Sequence, residues 1–131
     1  MSLIYMTNTT PVDVAAGGTL PISVVRRTGC AIQNGDNSVI LKKPGYYTVN
    51  ATVTFTGQAA GDVTIELQKN NVVVPGITST VSVATPDTDI YTLTLTGIIR
   101  LLCYEGDAIL TLVNNSGVAL TISNIALQII D

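Results

Sequence analysis

Histidine and tryptophan are absent from this chain of 131 residues, and phenylalanine occurs once. Without histidine, the commonest general base, the usual partner of a nucleophilic Ser or Cys and the commonest metal ligand are all missing. Without tryptophan, no indole is available to stack a sugar beside a carboxylate pair, which counts against glycoside hydrolysis. Charge is scarce too. Asp, Glu, Lys and Arg make up 11 % of the residues, less than half of the usual quarter. Nine acidic and six basic residues leave a net charge of −3, and apart from Arg26-Arg27 and Lys42-Lys43 the cations are scattered. Nothing in that pattern tracks a phosphate backbone, so no nucleic-acid partner is expected. The opening Met1-Ser2-Leu3-Ile4-Tyr5-Met6 lacks the charged and apolar regions of a secretion signal. The longest apolar runs are far too short to cross a bilayer as a helix, so no membrane partner is expected either.

Cysteine is limited to Cys30 and Cys103, far apart in sequence and without metal-ligand spacing. Two small buried or half-buried thiols are the default reading. A disulfide would need their Cα atoms within about 7 Å.

What is present is aliphatic and hydroxyl-bearing. Hydrophobic residues amount to 47 %, in runs that alternate with Thr, Ser, Asn and Gln and break at Gly, Pro and Asn. A two-residue period means strands, with one row of side chains turned inward and the other outward. The clearest strand covers residues 46–55. Tyr47, Val49, Ala51, Val53 and Phe55 share the apolar face, and Tyr46, Thr48, Asn50, Thr52 and Thr54 share the other. In 62–69, Val63, Ile65 and Leu67 point in while Thr64, Glu66 and Gln68 point out. Asn70-Asn71 then predicts a tight hairpin into Val72-Val73-Val74, because Asn tolerates positive φ. Pro75-Gly76 ends that strand by removing a backbone donor and permitting a sharp turn.

Further strands are expected over 77–84, 90–102, 108–113 and 118–130, with weaker ones over 3–6, 19–25, 31–33 and 38–41. Gly97 interrupts the ninety-series strand and marks a bulge or a close approach of backbones. The apolar phase slips by one residue at Ser123-Asn124, which predicts a bulge there. No linker, repeat or boundary divides the chain, so residues 1–131 form one all-β domain, a sandwich or barrel.

The segment Lys43-Pro44-Gly45-Tyr46-Tyr47-Thr48-Val49 resembles the lead-in to the central strand of tumour necrosis factor-like jelly rolls, in the branch that includes complement globular heads. The hairpin Leu67-Gln68-Lys69-Asn70-Asn71 is similar to that family's Leu-x-Lys-Asn-x turn. Leu102 to Ile109 resembles its Leu-x-x-Gly-Asp-x-apolar motif, with one extra residue before Gly106-Asp107. These matches span about two thirds of the chain in family order. The resemblance implies a two-sheet antiparallel jelly roll of about ten strands that packs as a homotrimer around a threefold axis. It places the subunit contact on the outer face of the sheet holding the central and terminal strands. The candidate contact residues are then Tyr46, Thr48, Asn50, Thr52, Thr92, Thr94, Thr96 and Gln128. Family interfaces are richer in aromatic residues than this one. The same Thr rows also suit a plain solvated face, since Thr has high β propensity.

Carboxylate pairs remain at Asp87/Asp89 and Glu105/Asp107, each in a predicted turn where Asx side chains commonly bond their own backbone. Asp87 and Asp89 could contribute to a calcium loop, but the full ligand pattern is missing, and no metal or cofactor is expected. Sequons at Asn8, Asn50 and Asn114 arise readily by chance in a chain so rich in Asn and Thr. The expectation is a non-enzymatic assembly protein. A bacteriophage virion component of capsid-decoration or head-fibre type, put together in the host cytoplasm with capsid or other virion proteins as partners, leads. The alternative is a receptor- or glycan-binding head on a bacterial or spore surface.

Overall fold

The computed structural model describes residues 2–131, and every regular element among them is a β-strand. In chain order these are β1 (Leu3–Asn8), β2 (Val12–Val14), β3 (Ser23–Thr28), β4 (Ile32–Gly35), β5 (Ser38–Leu41), β6 (Gly45–Gly57), β7 (Gly61–Lys69), β8 (Val72–Val83), β9 (Tyr91–Leu101), β10 (Ala108–Asn114) and β11 (Leu120–Ile130). One sheet runs β3-β1-β11-β6-β9, with β2 extending the line of β1 along β11; the other runs β4-β5-β10-β7-β8. Every pairing is antiparallel. It is a two-sheet jelly-roll sandwich.

The alternation fixes the core. Tyr47, Val49, Ala51, Val53 and Phe55 of β6 are buried against Val63, Ile65 and Leu67 of β7 in one continuous cluster. From β11, Leu120, Ile122, Ile125, Leu127 and Ile129 join it. Burying each such aliphatic side chain stabilises by roughly 1.5–3 kcal/mol. The slip at Ser123-Asn124 is a real bulge: β11 shifts register against β6 between Ile122 and Asn124, so both halves of the strand keep their apolar row inward. The Asn70-Asn71 hairpin also forms, with both residues at positive φ.

Two local expectations are corrected and one strand is added. The weak strand at 19–25 lies instead at Ser23–Thr28, because Leu20 and Ile22 leave the surface to enter the core and the Leu20 N–H bonds the Leu112 carbonyl. β2 was not anticipated, since three residues are too few to display a period. Pro75-Gly76 does not end its strand. Between Gln68↔Val73 and Glu66↔Thr78, β7 advances two residues while β8 advances five. The surplus loops out around Pro75, where no ladder donor is needed, and Gly76 supplies a positive φ.

That excursion drives Ile77 into the seam between β8 and β9, the adjoining edges of the two sheets. There it meets Gly97. A Cβ at Gly97 would lie 2.5 Å from Ile77 Cγ1 and 2.8 Å from Cδ1. Pairing of β6 with β9 continues through Gly97 without a shift, so this glycine serves a close approach and not a bulge. Gly97→Ala should therefore destabilise the fold by about 1–3 kcal/mol through overpacking. Adding Ile77→Ala, which removes both clashing atoms, should recover part of the Gly97→Ala loss in urea denaturation. Strict additivity of the two changes would contradict the contact.

Candidate functional site

The outward row of the first sheet forms one broad surface, because cross-strand partners share a face. From one end, Tyr46 lies opposite Arg100, and Thr48 lies between Ile98 and Ile130. Leu3 extends that second rank beyond Ile130. Asn50 lies between Thr96 and Gln128, with Tyr5 beyond. Thr52 lies between Thr94 and Ala126, and Thr54 between Thr92 and Asn124. All eight residues expected to form a contact surface, Tyr46, Thr48, Asn50, Thr52, Thr92, Thr94, Thr96 and Gln128, are thus neighbours on one exposed or half-exposed face.

Several members of the face escaped the sequence reading. Ile98 is 66 % exposed and Tyr46 65 %, so a large aliphatic and an aromatic side chain stand in solvent on adjacent strands. Leu3 and Ile130 are half-buried beside them. Ile98 and Arg100 continue the outward phase of Thr92, Thr94 and Thr96, and Ile130 continues that of Gln128. The signal was present, but Gly97 hid it by breaking the visible pattern. Among the described residues of β1, β11, β6 and β9, Arg100 is the only ionised side chain in these ranks, while exposed Arg26 of β3 continues the Asn50 rank beyond Tyr5. The Arg100 guanidinium sits 5.9 Å from the centre of the Tyr46 ring, within reach of a cation–π contact. Thr54 and Thr92 link their hydroxyls at 3.1 Å.

Beside this face, the looped-out part of β8 leaves an open groove of about 250 Å³ against β9. Val72, Val73 and Pro75 form one wall, Ile98 and Arg100 the other, and Lys69 lies at its end. Lys69 is already engaged: its ammonium donates to Glu105 at 2.8 Å and to the Arg100 carbonyl at 3.2 Å. This hydrogen bond holds the Glu105 carboxyl below the usual carboxylate range. Lys42 pairs with Asp107 in the same way. The second carboxylate pair is therefore split between two lysines and pins the turn between β9 and β10.

Asp87 and Asp89 do not converge with a further ligand; among the described residues no three His, Cys, Asp or Glu side chains gather. Asp87 adopts a positive φ, its N–H bonding the Gly57 carbonyl, and Asp89 accepts from the Tyr91 hydroxyl at 3.3 Å. Local turn chemistry accounts for both. Cys30 and Cys103 are free and exposed, contrary to the buried default; each falls in a turn at a strand end, where no core is available. Asn114 is buried, donating to the Val118 carbonyl at 2.8 Å and accepting from Ser116 at 2.6 Å, so that sequon is structural. Burial pushes the Tyr47 phenol up, reinforced by the Asp131 carboxylate, while its hydroxyl donates to the Lys43 carbonyl.

Whole-chain comparison defines the class. The crystal structure of murine APRIL at pH 5.0 superposes with a TM-score of 0.66 over 98 % of this chain and 97 % of that one, at 13 % identity. The globular domain of zebrafish complement 1qA gives 0.64 at 10 % identity, over 98 % and 94 %. Eiger TNF from S. frugiperda gives 0.64 at 14 %, over 98 % and 92 %. The fold is the jelly roll of TNF-like proteins and complement globular heads. A sequence pattern described as the PEGA domain matches residues 27–71, about a third of the chain. It spans parts of both sheets and includes the Pro44-Gly45-Tyr46-Tyr47 lead-in. No curated protein sequence matches.

The Lys69–Glu105 pair has a defined pH signature. A lowered carboxyl pKa in the folded state adds stability above the ordinary carboxylate range, and this is lost as pH falls through the folded-state value. Wild type should exceed Glu105→Gln in melting temperature at neutral pH, and the two should converge on acidification below about pH 4. A difference that persists or grows in acid would contradict the pairing. The effect is small, because the pair is in contact with solvent.

Proposed function

We propose that this chain is a non-enzymatic assembly protein that works as a homotrimer packed through the outer face of β1, β11, β6 and β9. The observation that carries this reading is the chemistry of that face. Across its ranks from Tyr46 to Thr54 it presents hydroxyls, amides, Leu3, Ile98, Ile130 and two tyrosines, with Arg100 as the only charge. Such a surface costs less to desolvate than a charged one, provided its hydroxyls and amides find partners across the contact, and interface cores are depleted in charge and enriched in aromatic residues. The similarity in fold to the globular domain of a complement protein supports the same reading at the level of architecture.

Within that role we place the protein in the bacteriophage virion, as a capsid-decoration or head-fibre component assembled in the host cytoplasm. Support comes from a surface with few charges, scant acid–base equipment and a large neutral contact area. Capsid, portal and tail genes beside its gene would be the outcome expected, and genes for collagen-like or spore-coat proteins the contrary one.

Light scattering at micromolar concentration should return three times the 13.7 kDa chain mass. Ile98→Asp should shift the protein to monomer, because a buried unpaired carboxylate costs about 2–5 kcal/mol per contact. A wild-type monomer would remove the trimer, and an Ile98→Asp trimer would move the interface elsewhere.

A further inference from the structure

The topology sorts the charges by end. Antiparallel register places the start of β6 and the ends of β3, β5, β7, β9 and β11 at one pole of the sandwich. All six cations fall in that half: Arg26 and Arg27 late in β3, Lys42 and Lys43 before β6, Lys69 at the end of β7 and Arg100 at the end of β9. Three carboxylates accompany them, Glu105, Asp107 and Asp131, and two of these are paired with Lys69 and Lys42. Arg26, Arg27, Lys43 and Arg100 remain against Asp131. At the opposite pole stand Asp13 in β2, Asp62 in β7, and Asp87 and Asp89 in the loop after β8, with Asp36 and Glu66 at mid-height. No Lys or Arg lies there. The half holding the cations therefore carries six positive and three negative charges, and the remainder six negative and none positive.

We infer that the two poles are complementary docking surfaces, and that copies of this protein associate head to tail, basic end on acidic end. In a chain with so few charges, this separation gives opposite potentials at the two ends and bare like charge within the acidic one. Juxtaposing like poles is repulsive, so complementarity selects the polar stack. A head-to-tail contact is heterologous and can repeat without closing, at right angles to the face proposed above for the trimer. The trimer reading is not required: whatever unit persists at high salt is the unit that stacks, so the two ideas fail separately.

Sedimentation velocity across a salt series tests this. Near 10 mM salt, where screening acts over about 30 Å, the mass should grow in whole multiples of the high-salt unit. Near 150 mM, where it acts over about 8 Å, the growth should largely vanish. The exposed-site variant R26E/R27E/K43E, acidic at both ends, should stay at the unit mass in low salt, as should D13K/D62K/D89K, whose formerly acidic pole keeps only Asp87 against three lysines. Mixed together, the two should associate again, with each checked for folding by its β-sheet circular dichroism. A wild-type mass independent of salt would overturn the inference, as would failure of the mixed variants to associate. Retention of the salt-insensitive wild type on immobilised polyglutamate would count against self-stacking too, by assigning the basic pole to a different acidic partner.

Discussion

A pleated strand must place alternate side chains on opposite sides of its sheet, and β6 lies where that constraint binds hardest. Flanked by β11 and β9, it sends Tyr47 through Phe55 into the core and Tyr46 through Thr54 to the outside. A slip of one residue would bury five polar or half-polar side chains and expose the apolar row. Every neighbour inherits this phase. β11 keeps it by inserting one residue at Ser123, and β9 keeps it through Gly97, where lack of a side chain makes room for Ile77 from the other sheet. The exposed face with its rows of hydroxyls is thus a by-product of the face committed to the core.

Legibility in the sequence followed the same logic. The long strands, the Asn70-Asn71 hairpin and the bulge near Ser123 could be read because each depends on a few adjacent residues. The jelly-roll fold followed from the order of those motifs. Elements held by partners remote in sequence were harder. β2 exists because Val12 and Val14 meet Ile122 and Leu120, and β3 is an edge strand exposed along its whole length, with no buried row to announce it. Pro75 read as a terminator, and it would be one in a central strand; on the edge of the second sheet the chain loops around it and resumes.

The candidate surface was legible in part for a related reason. Its Thr rows could be assigned from period alone, but joining β9 to β11 through β6 required the register. Only then do Leu3, Ile98 and Ile130 become neighbours and give the face an apolar portion among its hydroxyls. The separation of charge between the ends was invisible for the same cause, since scattered cations gather at one pole only when alternate strands reverse direction. Two features of the surface, neutral flank and polarised ends, thus come from one topology.

Thiol accessibility measures the inward and outward division of β6 directly. In a background with Cys30→Ser and Cys103→Ser, V53C and T52C differ by one position along the strand. The V53C thiol should react with a small maleimide only as fast as the protein unfolds. The T52C thiol should react freely in the dilute protein. Equal reactivity at the two positions, or a protected T52C beside an open V53C in the dilute protein, would contradict the account.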